Sequence, residues 1–136
     1  GPERQTLENV INELNLNEHV YMPGFVTNPF NYLKTSEVFV LSSIYEGLPN
    51  VLIQAMLLGI PCVSTNCKSG PKEILMNGKY GQLIEAGDQL GMSKAIINVL
   101  EERWESKSKN GLEKKYNLKK IVNHYLELPV FKNENN

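Results

Sequence analysis

Four short apolar runs punctuate the chain at near-even intervals: His19-Val20-Tyr21-Met22, Val38-Phe39-Val40-Leu41, Cys62-Val63-Ser64 and Gly81-Gln82-Leu83-Ile84. Helix-length segments separate them. Strands that alternate with helices build parallel sheets, because a parallel pair can be joined only by a long crossover. The run VFVL has no polar alternation and is rich in β-branched and aromatic residues, as in a strand covered by helices on both faces. Leu7, Val10, Ile11 and Leu14 recur at i, i+3, i+4 and i+7 and predict a helix over 3–15, with Pro2 suited to its first turn. Further helices are predicted over 29–35, 50–58, 71–76, 89–104 and 118–127, the last with Leu118, Ile121, Val122, Tyr125 and Leu126 on one stripe. The expected fold is α/β, a parallel sheet of about four strands with helices on both faces. Residues 1–128 are expected to form one domain and 129–136 a polar tail.

At 136 residues the chain suits a single domain. A formal net charge of −1, from 14 Lys plus Arg against 15 Asp plus Glu, leaves no cationic surplus for nucleic-acid phosphates. The longest apolar run, Val51 to Ile60, is too short to span a bilayer, and no signal peptide is visible. Cys62 and Cys67 have no second pair and no nearby His to complete a zinc site; they read as a buried thiol and a loop thiol. No Asp-x-Asp pair occurs, so no metal is expected, nor a cofactor. The helix at 3–15 should follow a strand, yet only Gly1 and Pro2 precede it. The chain is therefore expected to be a fragment that begins within a βα unit and is marginally stable, with an open edge at VFVL. Gly1-Pro2 also fits a tag-cleavage scar.

In open α/β sheets, ligands bind beyond the carboxyl ends of the strands. The loop after VFVL is the most informative: SSIYEGLPN leads into a helix that is apolar nearly all round. The polar side chains of that helix, Asn50 and Gln54, are four apart and share a face, and Glu46 lies four residues further back. Gly47 permits close approach of a ligand, Pro49 fixes the turn, and the free N–H groups at the helix start suit a phosphate. These features suggest a ligand with a diphosphate and several hydroxyls. An acid before a helix N-terminus is also an ordinary capping arrangement, and a buried amide can be satisfied by backbone.

The string SSIYEGLPNVLIQAMLLGIPCVST resembles the donor-binding segment of the retaining GT-B glycosyltransferases of family four, whose hallmark is S-x-x-E-G-x-x-x-x-x-x-E-A-M-x-x-G-x-P-V-V. The opening GPER resembles the end of that family's G-x-G-P-E-R turn. HVYMPGFV resembles its strand and glycine turn, and SGPKEILMNGKYGQLIEAGD the stretch ending in its last core strand. The likeness runs from residue 1 to about residue 100.

The resemblance implies a Rossmann-like sheet, the incomplete C-terminal half of a GT-B fold, holding strands three to six of the order 3-2-1-4-5-6. It implies that Glu46, the catalytic candidate, contacts hydroxyls of the donor sugar. Backbone amides from Gly47, Leu48, Pro49 (which lacks an N–H), Asn50 and Val51 would line the sugar and diphosphate. Gln54 stands where the family's second Glu grips the ribose; a carboxamide keeps that contact without the charge-assisted bond. Gly24, Phe25 and Val26 match the turn beside the nucleotide base, although Phe25 also suits a core position. Gly70-Pro71 and Lys72 resemble a subset acting on bacterial surface glycans, and equally fit a plain helix start. His19 is expected at a strand edge and His124 on a helix surface.

The implied function is the donor-binding part of a retaining glycosyltransferase. It would use a nucleotide-diphosphate sugar, UDP-linked, and a glycan or lipid-linked acceptor in bacterial surface polysaccharide or glycoprotein assembly. The implied partner is an N-terminal acceptor domain, through which any peripheral membrane association would run; the implied location is the cytoplasm or the inner face of the membrane. Two alternatives remain: a non-catalytic nucleotide-sugar binding module, in which Gln54 marks decay, and a receiver-like α/β module, which would show acidic residues at its first strand's end.

Overall fold

A computed structural model of the chain describes residues 1–68 and 70–101. The elements run α1 (Arg4–Glu13), α2 (Phe30–Lys34), β1 (Phe39–Leu41), α3 (Asn50–Leu57), β2 (Cys62–Thr65), α4 (Pro71–Ile74), β3 (Gln82–Ile84) and α5 (Gln89–Glu101). The strands form one parallel sheet in the order β1-β2-β3, with Phe39 opposite Cys62 and Ser64 opposite Leu83.

Central β2 is buried at all four positions. Its side chains alternate between two cores, as the period of a strand requires. Cys62 packs with Leu52, Met56, Ile74 and Leu75, so α3 and α4 cover that face. Val63 packs with Ala95 and Val99 of α5 on the other. The expected α/β layering with helices on both faces is therefore present at β2, but β1 departs from the expectation for VFVL: as the strand at the end of the order β1-β2-β3 it is only part-buried, with Val40 36% exposed. Burial of Leu52, Ile74 and Leu75 to 1% exposure or less is worth roughly 1.5–3 kcal/mol per side chain.

The sheet differs from expectation in one respect. His19–Met22 is not a strand, so the described residues hold three strands where about four were expected. Its backbone is engaged elsewhere: the His19 and Val20 N–H groups both donate to the Leu16 carbonyl, and the Met22 carbonyl accepts from Arg4. His19 accordingly lies in an exposed turn rather than at a strand edge. Helix α1 forms where the periodicity places it, but none of its residues is buried, and Leu7 and Leu14 are more than half exposed. Helix α4 ends at Ile74, two residues short of expectation, with Met76 and Asn77 in the left-handed region. The helix expected over 118–127, the end of that over 89–104, the polar tail and His124 lie outside the described residues.

Both cysteines are buried, and no disulfide joins them. Cys62 is wholly inside the core, where its Sγ–H donates to the Ile60 carbonyl at 3.3 Å and burial pushes the thiol pKa up to about 12 from 9.0. The folded chain thus holds this proton more tightly than the unfolded chain does. The contribution is complete below pH 9 and is lost as pH rises from 9 to about 12. Denaturant melts across that window should show wild-type stability falling more steeply than that of Cys62→Ala, by at most about 1.4 kcal/mol per pH unit. Parallel curves for the two proteins would refute it.

Candidate functional site

Strands β1 and β2 are adjacent and parallel, so the loops that leave their carboxyl ends emerge at the same edge of the sheet. The first, residues 42–49, carries Glu46 and runs into α3; the second, residues 66–70, runs into α4. They touch through Gly70. A Cβ there would lie 2.6 Å from both the Gly47 carbonyl oxygen and Pro49 Cδ, and Gly70 has φ +90°. No residue with a side chain fits that seat without displacing the first loop.

Glu46 is half-buried and accepts a 2.6 Å hydrogen bond from the Ser43 hydroxyl on Oε1. It does not cap α3. Pro49 occupies the N-cap position, and no side chain bonds the first-turn N–H groups. The ordinary capping role is thereby removed, and the positive end of the α3 dipole faces the loop that carries Glu46. Pro49 is buried, whereas Gly47, Leu48, Asn50 and Val51 are exposed.

Helix α3 is anchored by Leu52, Ile53, Ala55 and Met56, all buried. Gln54 lies between them in sequence but is only half-buried, and no side-chain hydrogen bond joins it to another described residue. Its carboxamide is not consumed by the fold's own peptide groups. The apolar residues flanking Glu46 face outward, with Ile44 83% and Tyr45 75% exposed.

The turn Gly24–Val26 is held differently. Gly24 has φ +76° and lies against Arg4, whose guanidinium donates to the Met22 carbonyl at 3.1 Å and pairs with Glu8 at 2.8 Å. Phe25 is 93% exposed and is not a core residue; Val26 is half-buried. A groove of about 400 Å³ between α1 and residues 17–22 is lined by Arg4, Glu8, Asn12 and Tyr21 among others, and includes none of residues 43–54. Lys72 is exposed on the single turn of α4.

Two side chains in this arrangement have no role assigned from the sequence, although Ser43 occupies the first position of the S-x-x-E-G hallmark. Thr65, 4% exposed at the end of β2, donates its hydroxyl to the Ser43 carbonyl, with the Leu41 carbonyl at 3.4 Å as the more distant acceptor. Ser43 in turn holds Glu46. A serine three residues before an acid in a loop is a local hint of such a bond; the link to Thr65 has no local signature. Among the described residues, no group of His, Cys, Asp and Glu is placed to hold a metal ion, and no helix is long and apolar enough to cross a membrane.

The sequence profile of the family described as Glycosyl transferases group 1 matches residues 1–120. The chain is 51% identical over 75 residues to an uncharacterized glycosyltransferase of Methanocaldococcus jannaschii, a match spanning 55% of this chain and 18% of that protein. It is 34% identical over 102 residues to the N-acetylgalactosamine-N,N'-diacetylbacillosaminyl-diphospho-undecaprenol 4-alpha-N-acetylgalactosaminyltransferase of Campylobacter jejuni, spanning 75% of this chain and 28% of that protein. Its fold superposes on the crystal structure of TarM with a TM-score of 0.73 and 27% identity, covering 95% of this chain and 26% of that one. The chain thus spans between 18% and 28% of the length of these three proteins.

Proposed function

Because the chain belongs to the group 1 glycosyl transferases, we propose that it is the donor-binding part of a retaining enzyme that transfers a sugar from a UDP-linked donor. One observation carries the reading: a half-buried Glu46, bonded by Ser43 rather than used as a helix cap, next to the uncapped N-terminus of α3. In this reading Glu46 accepts hydrogen bonds from the sugar hydroxyls and Gln54 contacts the ribose. The N–H groups of Gly47, Leu48, Asn50 and Val51 line the diphosphate; Pro49 has no N–H and supplies a fixed turn, its carbonyl accepting from the Leu52 and Ile53 amides of α3. Gly24, Phe25 and Val26 lie at the base.

As the sugar–phosphate bond breaks, negative charge gathers on the departing diphosphate while the sugar becomes oxocarbenium-like. Fixed N–H donors and the α3 dipole stabilise that charge without reorganising, which is where electrostatic catalysis has its largest effect. Glu46 acts on hydroxyls, so its chemistry differs from the acid and base pair of a glycosidase.

The proposed acceptor is a glycan or a lipid-linked glycan of the bacterial surface, a class supported by the Campylobacter relative, whose name specifies a diphospho-undecaprenol substrate. Residues 1–128 are proposed as the donor unit, working with an acceptor-binding domain at the cytoplasmic face of the membrane. Gln54 in the place of the family's second Glu favours a second reading, a module that binds nucleotide sugars without transferring them.

Calorimetric titration of the intact protein with UDP-N-acetylgalactosamine, UDP-N-acetylglucosamine, UDP-glucose and GDP-mannose, followed by donor-hydrolysis assays, tests these readings. The expected result is binding of a UDP-sugar and its slow hydrolysis to a sugar of unchanged anomeric configuration, read by NMR. Binding without turnover supports the module, and inversion at the anomeric carbon rejects the retaining reading.

A further inference from the structure

A carboxylate on a loop whose neighbours Ile44, Tyr45 and Leu48 all face solvent would ordinarily sample several rotamers, and a glutamate immobilised by a ligand loses on the order of 1–2 kcal/mol of side-chain entropy. In this chain that freedom is already restricted. The Ser43 hydroxyl donates to Glu46 Oε1 at 2.6 Å. A carboxylate only accepts, so the serine proton must point at it. The peptide carbonyl of the same serine accepts the hydroxyl of Thr65. Thr65 is buried on β2, the strand paired on both sides, so the loop is tied to the middle of the sheet. Thr65 and Ser43, 22 apart in sequence, are thus joined by one hydrogen bond from the sheet to the loop backbone, and a second carries the link from Ser43 to the acid.

We propose that Ser43 and Thr65 are positioning residues for donor-sugar recognition. Ser43 presets the Glu46 carboxylate toward the sugar hydroxyls, and Thr65 fixes Ser43 to the sheet. The proposal rests on the reading of Glu46 as the sugar contact, and it adds that the orientation of that group is built into the unliganded fold. Preorganisation of this kind raises affinity for the sugar while leaving the nucleotide's own contacts untouched.

The test is a double-mutant cycle on the intact protein, read by titration with UDP, UDP-N-acetylgalactosamine and UDP-N-acetylglucosamine, with thermal melts to show that each variant is folded. Ser43→Ala should weaken UDP-sugar binding about fivefold to tenfold and leave UDP binding unchanged, since one hydrogen bond to a charged group is lost. Ser43→Thr should recover most of the loss. Thr65→Val should act in the same direction by about threefold and Thr65→Ser should not, because only the hydroxyl matters. In a Glu46→Gln background, Ser43→Ala should add little, the mark of two residues acting through one interaction. Full additivity with Glu46→Gln, or an equal loss of UDP and UDP-sugar binding, overturns the positioning role while leaving Glu46 as the sugar contact. No effect of Glu46→Gln on UDP-sugar binding overturns that underlying reading, and this proposal with it.

Discussion

Replacing Glu46 by Ala is expected to lower kcat/KM for the UDP-sugar by about 100-fold to 1,000-fold while the affinity for UDP alone stays within about twofold. The estimate follows from removing one charged acceptor that serves two hydroxyls, each hydrogen bond to a charged group being worth about 1.5–3 kcal/mol. The split between UDP and UDP-sugar is the informative part. A collapse of the loop would weaken both, because the same loop leads into α3 and its first-turn N–H groups. Gln54 provides the graded comparison. Gln54→Ala should cost about tenfold or less, since a neutral carboxamide makes the weaker bond. Gln54→Glu, which restores the family's residue, should improve donor binding by about threefold to tenfold. Steady-state kinetics and titration on the same preparations check all three, and unchanged transfer by Glu46→Ala would remove that residue from the site.

Gly70→Ala is expected to cost about 2–5 kcal/mol in a denaturant melt, as the sum of a strained backbone and a crowded contact. The added Cβ meets the Gly47 carbonyl oxygen and the Pro49 ring at 2.6 Å, and neither is a flexible side chain that can swing away. Gly87 is the internal control, because it has the same φ of +90° with nothing within 4 Å of its Cβ position. Gly87→Ala should therefore show the backbone penalty alone and melt above Gly70→Ala by about 1–3 kcal/mol. Only the Gly70 variant should also lose UDP-sugar affinity, because relief of the clash moves the loop that carries Glu46. Equal melting of the two variants would mean that the contact between the loops yields freely, and the second loop would then have no part in shaping the first.

Much of this architecture is legible in the sequence alone. Apolar runs at even intervals, with helix-length segments between them, specify a parallel sheet whatever the details. VFVL and the segment 50–58 duly appear as β1 and α3. The reason is that both periods, two for a strand and 3.6 for a helix, are local properties of the residues concerned. The segment 19–22 shows where that logic stops. Its composition suits a strand, but a strand exists only with a ladder partner, and the amides of His19 and Val20 close a turn on Leu16 instead. Phe25 likewise had the composition of a core residue, and only the packing shows that it faces solvent.

The motif around Glu46 and Gln54 could be read from residue types at set spacing, because an acid, a glycine, a proline and an apolar helix in that order constrain the local chain. How the acid is held could not. The hydroxyl of Thr65 reaches Ser43 across 22 residues, and Gly70 meets Gly47 and Pro49 from the next loop. Both contacts exist because β1 and β2 lie side by side, and adjacency in a sheet is set by burial summed over the whole core. Local composition names the groups; the packing of the sheet decides which of them meet.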